Sequence, residues 1–328
     1  MRKFFIIQFL LFVFFLSSVE GQNLKFRKDG KFRIVQFTDI HYVPGGEPSK
    51  KSIAMMEATL DAEKPDLVVF TGDVVVKGPT KKGWDEVLQP VISRRIPYMV
   101  TLGNHDDESD MKREEVAAYV VTKPYIVNTR IQLPGVSGYL NGAFTIEGNH
   151  SKAGAIIYAM DSHGYSKNPR VKGYGWFAAD QVNWFREMSA SFREIYRDTL
   201  PALAFFHIPL PEYKMAFDDI RNKRVGVRYE NECPPDINTG MFAAMLESGD
   251  VMGTFVGHDH VNDYLVDYMG IALTYGCWSG SENTYQRHKN GARVIELTEG
   301  KRQFSTYIRE SDGMKIYHVD YPFPKKKK

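Results

Sequence analysis

The chain has 328 residues, 43% hydrophobic and 25% charged, with 42 Lys plus Arg against 40 Asp plus Glu and only 2 Cys. Those numbers exclude wholesale disorder, a multi-span membrane protein, a disulfide scaffold and a Cys-rich zinc module. Lys325, Lys326, Lys327 and Lys328 supply four positive charges, and Arg2, Lys3 and Glu20 a net one, so a formal charge of +2 leaves the body near −3. No basic face or reader motif for nucleic acid follows from that balance.

Residues 1–21 have the layout of a signal peptide: Arg2 and Lys3, an apolar run from Phe4 to Leu16, then small residues up to a cut before Gln22. The run is short for a ~30 Å hydrocarbon core at about 1.5 Å per residue, which favours export over a stable transmembrane span. Export leaves two states open for Cys233 and Cys277, a pair closing a large loop or two free thiols.

Short apolar runs then alternate with helical patterns. Strands are expected at Phe32–Phe37, Leu67–Phe70 and Tyr98–Leu102, with helices at Lys50–Glu63, Trp84–Ser93 and Met111–Val121 between and after them. That rhythm predicts parallel pairing in an α/β domain. Tyr139–Glu147 and Ala155–Met160 read as adjacent strands, and Asp180–Arg197 as an amphipathic helix with Phe185, Met188, Phe192 and Ile195 inward. Later strands fall at Leu203–Phe206, Val251–Val256, Ile271–Tyr275 and Arg293–Leu297. No linker interrupts the pattern, so one domain is expected over 23–323, with 324–328 a basic tail.

Five of these runs end in side chains suited to metal binding: Thr38-Asp39-Ile40-His41, Gly72-Asp73, Gly103-Asn104-His105-Asp106, His207, and Gly257-His258-Asp259-His260. Residues just past strand carboxyl ends collect at one rim of a sheet. Alternation along an extended segment would aim Asp39 with His41 and His258 with His260 into one cavity, with Asp259 turned away. Carboxylates, an amide oxygen and imidazoles together suit Zn, Fe or Mn better than Ca or Mg. More donors are present than one tetrahedral ion needs, which points to two ions.

This ordered set resembles the calcineurin-like metallophosphoesterase superfamily, in the purple-acid-phosphatase-related branch. Tyr174-Gly175-Trp176, the stretch from His207 to Glu212 and the run from Gly257 to Asp263 add to the likeness. The resemblance implies two face-to-face mixed β-sheets flanked by helices, a four-layer αββα sandwich. It implies one ion held by Asp39, His41, Asp73 and His260, and a second by Asp73, Asn104, His207 and His258. The implied reaction is attack of a metal-bridging hydroxide on a small phosphate ester, with His105 serving the leaving oxygen and Asp106 or another carboxylate orienting it. Coloured members have a tyrosine ligand where this chain has Val76, and a glycine where it has His41, so no tyrosinate–iron(III) colour is expected. Tyr42 lies on the face opposite His41 and is set aside as a substitute. Candidate substrate contacts are His163 and Glu212, with Tyr213 and Trp278 as further rim residues, while Trp176 and Trp184 are expected in the core. Both monoester and diester hydrolysis are compatible with such a centre, as is a metal-binding module without activity.

Overall fold

The computed structural model describes residues 23–150, 152–282 and 289–324. The signal segment and the lysine tail lie outside the described residues. Among the described residues no helix is long and apolar enough to cross a membrane.

In the first third, β1 (Lys31–Phe37), α1 (Glu47–Glu63), β2 (Leu67–Thr71), α2 (Thr80–Ser93), β3 (Tyr98–Thr101) and α3 (Arg113–Val120) follow the predicted order. β1, β2 and β3 pair in parallel. The second sheet starts with the antiparallel pair β4 (Gly142–Glu147) and β5 (Ala153–Ala159), followed by α4 (Ala179–Tyr196) and β6 (Ala202–Phe205). Next come α5 (Glu212–Asp218), β7 (Arg224–Val225), α6 (Met241–Ser248), β8 (Val251–Val256), β9 (Leu265–Tyr268) and β10 (Ile271–Tyr275). The chain closes with β11 (Gly291–Thr298), β12 (Phe304–Glu310) and β13 (Lys315–Tyr321). One sheet runs β13-β12-β11-β1-β2-β3 and the other β4-β5-β6-β8-β10-β9-β7.

Alternation along the strands builds the four layers. Val35 and Phe37 pack with Val68 and Phe70 against Met56, Leu60, Trp84 and Leu88 of the helices. Their neighbours Ile34, Leu67 and Val69 face the other way and meet Leu203, Phe205 and Phe255 of the second sheet. Ala202 and Ala204 turn from that interface onto Phe185, Phe192 and Met245. Strands buried on both faces read as continuous apolar runs, as Leu67–Phe70 does. Each such side chain contributes about 1.5–3 kcal/mol by leaving water.

The buried stripe of α4 is Val182, Phe185, Ser189 and Phe192, continuing to Tyr196, which stacks on Phe192. Ile195, expected inward, is instead 51% exposed. Steps alternating three and four carry the stripe past it. Trp184 is only partly buried and Trp176 half-buried, so the core position at that turn belongs to Phe177.

Candidate metal centre

The parallel strands place their carboxyl ends at one rim, and the two sheets are stitched there. His207, after β6, sends Nδ1 to the Thr71 carbonyl at 2.7 Å, and the Gly257 amide donates to the His207 carbonyl at 3.1 Å. Gln36, inside β1, donates to the Val256 carbonyl across the sheets at 3.0 Å.

The donor side chains converge, though not by the extended geometry expected. Asp39, His41, Asp73 and His258 adopt left-handed backbone angles, with φ of 52°, 50°, 51° and 79°. Tight turns rather than strand alternation aim them inward. Short polar side chains and His tolerate this region better than branched ones. The glycines preceding the donors are needed for close approach. A Cβ on Gly103 would collide with the Asp73 carboxylate, and one on Gly257 with the Thr38 hydroxyl and Asp39.

Two groups of donors result. Asp39, His41, Asp73 and His260 each bring an atom within 4.8 Å of the others, as do Asp73, His207 and His258. Asp73 is common to both. His207 Nε2 lies 3.2 Å from Asp73 Oδ2 and 3.1 Å from Asn104 Oδ1, which puts Asn104 beside the second group. His41 Nε2 stands 3.6 Å from the same Asp73 oxygen, and His260 Nε2 3.4 Å from Asp39 Oδ1.

Imidazoles and carboxylates balance one another's charge at the centre. Burial opposes the Asp73 charge, but His207 and His41 outweigh it and hold the carboxyl well below its usual range. Burial likewise opposes the Asp39 charge and His260 outweighs it, so its value is also lowered. Burial would lower His207, yet Asp73 pushes it up to about 9. Burial and the neighbouring His207 push His258 down to about 3, so its ring is neutral. His258 Nε2 is shut off from solvent without a hydrogen-bond partner among the described residues. A neutral imidazole with a buried, unused lone pair beside two carboxylates is the chemistry a metal ion satisfies. The residues therefore fit two ions sharing Asp73.

His105 sits half-exposed at the mouth. Its Nε2 points inward, 4.0 Å from Asp73 Oδ2, and its Nδ1 is bonded to Glu108. Glu108 is thus the orienting carboxylate. Asp106 does other work: it accepts from the amides of Gly103 (2.7 Å), Asp73 and Val74 (2.9 Å each) and Val75 (3.2 Å), tying two donor loops together. Asp259 faces away and accepts from the Tyr275 hydroxyl and the Cys233 amide.

Other candidates lie outside the two donor groups. His163 commits Nε2 to Gln181 of α4 at 2.8 Å, and Glu212 accepts from Asn238 at 2.7 Å; neither belongs to the two donor groups. Tyr213 is turned into the core, its hydroxyl 2.7 Å from that of Thr254, because it follows Glu212 at the start of α5. Trp278 is buried, bridging Thr38 directly before the donor Asp39. Tyr42 donates to Glu86 at 2.8 Å, away from the donors. Both cysteines are free, Cys277 buried and Cys233 exposed.

Two features went unread in the sequence. Arg113, the first residue of α3, donates to the carbonyls of Gly103 (2.6 Å) and Leu102 (2.9 Å) and pairs with buried Asp161 at 2.5 Å. A cation at a helix N-terminus opposes the helix dipole, and that misfit was the available signal. Tyr165 and Tyr174 form a second feature, a stacked pair with centroids 5.4 Å apart. Tyr174 stands edge-on to His258 at 4.3 Å.

The fold and the shared-carboxylate centre define a dimetal-type phosphoesterase scaffold, and comparison with known proteins agrees. The calcineurin-like phosphoesterase family matches over residues 32–262, and the chain belongs to that family. Its relatives are purple-acid-phosphatase-like. It is 32% identical to "Probable inactive purple acid phosphatase 29" of Arabidopsis thaliana, covering 84% of this chain and 81% of that one. It is 31% identical to "Phosphatase DCR2" of Saccharomyces cerevisiae over 88% of this chain and 55% of the yeast protein. A dimetal phosphatase from Danio rerio shares the fold with a TM-score of 0.62 at 13% identity, over 89% of this chain and 99% of that one. Purple acid phosphatase PPD1 of yellow lupin (Lupinus luteus) does so at 0.54 and 13%, over 93% and 55%.

Proposed function

We propose that this chain is an exported phosphatase that hydrolyses phosphomonoesters at a two-ion centre. One ion site comprises Asp39, His41, Asp73 and His260, and the other Asp73, Asn104, His207 and His258. The observation that carries this reading is Asp73, the one carboxylate common to both donor groups. Two bound transition-metal ions, Fe, Zn or Mn, would supply Lewis acidity to the phosphoryl oxygens and lower the pKa of water at the centre.

The chain's residues do the rest. A single shared carboxylate offsets part of the repulsion between two cations. The Nδ1–H of His207, fixed on the Thr71 carbonyl, turns Nε2 toward Asp73 and Asn104, where an ion would take the place of its proton. Glu108 holds His105 so that Nε2 faces Asp73, where it can give a proton to the departing ester oxygen. The name of the yeast relative supports activity. The word "inactive" in the Arabidopsis names argues for the module without turnover, but every donor position is filled in this chain.

The test is hydrolysis of a chromogenic phosphomonoester by purified protein reloaded with Mn, Zn or Fe. Turnover with at least one metal is expected; none with any metal at any pH overturns the reading. A strong preference for the bis-ester of the same alcohol would make the protein a phosphodiesterase. Export is checked by mass spectrometry of secreted protein, expected to begin at Gln22.

His105→Ala is expected to keep its metal and lower kcat by about 10²–10⁴, most for poor leaving groups. Loss of metal in that variant would show that His105 is a ligand.

A further inference from the structure

The segment 165–174 is a hairpin. Tyr165 and Tyr174 bridge antiparallel at its base, the Ser166 amide donates to the Gly173 carbonyl at 2.9 Å, and Gly175 donates to Gly164 at 2.7 Å. Both base tyrosines stand beside the second donor group. Tyr174 meets His258, and the Tyr165 hydroxyl accepts from Asn104 Nδ2 at 3.4 Å. The Tyr165 ring is also 6.4 Å from that of His105, at 75°. One face of Tyr165 is covered by Tyr174, yet the residue remains 47% exposed. A large aromatic surface is thus held in water next to the His105 imidazole.

The geometry points to Tyr165 as a specificity determinant that stacks on a flat aromatic ring carried by the leaving group of the phosphate ester. The inference rests on the phosphatase reading and deepens it by naming a substrate class. Three features support it. With His105 as the proton donor, the leaving group would lie on the Tyr165 side of the centre. Tyr174 stiffens the platform from behind, so little freedom is lost when a ring lands on it. The hydroxyl is anchored on Asn104, so the ring cannot swing away without breaking that contact. Aromatic rings stack in offset or edge geometries without needing polar partners, which makes such a platform tolerant of the ring's substituents. Two kinds of ester carry this chemistry: aryl phosphates, with the ring directly on the ester oxygen, and nucleoside phosphates, with the ring one sugar away.

The metal-loaded full chain and its Tyr165→Ala and Tyr165→Phe variants test this in two ways. In turnover, kcat/KM is measured for an aryl phosphate, a nucleoside 5′-monophosphate and glycerol phosphate. Tyr165→Ala is expected to lose roughly 5- to 150-fold more on an aromatic ester than on glycerol phosphate, the range of one aromatic stack. Whichever aromatic arm shows the larger loss identifies the source of the ring. Tyr165→Phe is expected to restore most of it. In binding, calorimetry compares phenylphosphonate with methylphosphonate, and the same differential is expected without any turnover.

Equal losses on aromatic and alkyl ligands, or none, overturn the inference. So does a Tyr165→Phe variant as impaired as Tyr165→Ala, since the hydroxyl would then be the contact. Turnover without the differential sinks this inference alone. The calorimetric differential without turnover sinks the phosphatase reading and leaves the platform standing.

Discussion

Asp73→Asn is expected to abolish turnover, by more than about a thousandfold, while leaving the chain folded. Asn keeps the shape of Asp and an oxygen to accept the His105 amide, which now donates to Asp73 Oδ1 at 2.7 Å. What it removes is the charge that both donor groups share. Asp39→Asn is the internal control. Asp39 belongs to one group only, so its loss weakens one site and leaves the second intact. Comparable kinetics for the two variants would mean that Asp73 is an ordinary ligand and not the bridge.

The second large effect concerns stability. Arg113→Met is expected to cost about 3–5 kcal/mol in urea unfolding, because it strands the Asp161 carboxylate, whose side chain has no exposed surface. The carbonyls of Leu102 and Gly103 lose their donor as well, directly before Asn104 and His105, so kcat should fall in the protein that remains folded. The double variant Arg113→Met with Asp161→Leu should recover part of the loss, since an apolar pair replaces an unpaired charge. Strict additivity would deny the coupling.

The pH dependence follows from Asp161. Burial raises its pKa, but Arg113 outweighs burial and the folded value lies below the ordinary 3.8. Its share of stability is therefore complete above the unfolded value and disappears as pH falls through the lower folded one. The gap between wild type and Arg113→Met should be full near neutrality and narrow below about pH 4.

Much of the centre was legible in the sequence because strand, turn and donor are contiguous there. Phe70-Thr71-Gly72-Asp73 shows an apolar strand, a glycine at a left-handed turn and a carboxylate in one short reading frame. The parallel pairing of β1, β2 and β3 was legible for the same reason, from the spacing of strand and helix. β12 and β13 were not anticipated. In Phe304–Glu310 and Lys315–Tyr321 polar residues interleave with apolar ones at the sheet's outer edge, and no long apolar run marks them. α5 and α6, at seven and eight residues, are too short for a helical stripe to stand out.

The supporting contacts were out of reach for a different reason. Glu108 sits three residues beyond His105, yet nothing local distinguishes it from Asp106 or Asp107 as the partner of that ring. Only the turn geometry sends Asp106 to four backbone amides and Glu108 to the imidazole. Arg113 and Asp161 lie 48 residues apart and Tyr174 reaches His258 from a separate loop. Such pairings depend on tertiary placement. Asp161 follows β5 two residues before His163, and nothing local marks its carboxylate as the partner of a distant arginine.

The most direct test of the shared-carboxylate centre is elemental analysis of wild type, Asp39→Asn and Asp73→Asn, purified alike and reloaded with one metal. The account expects two ions per wild-type chain, about one in Asp39→Asn and almost none in Asp73→Asn. A wild-type chain that binds one ion or none, or two variants with equal metal content, would contradict it.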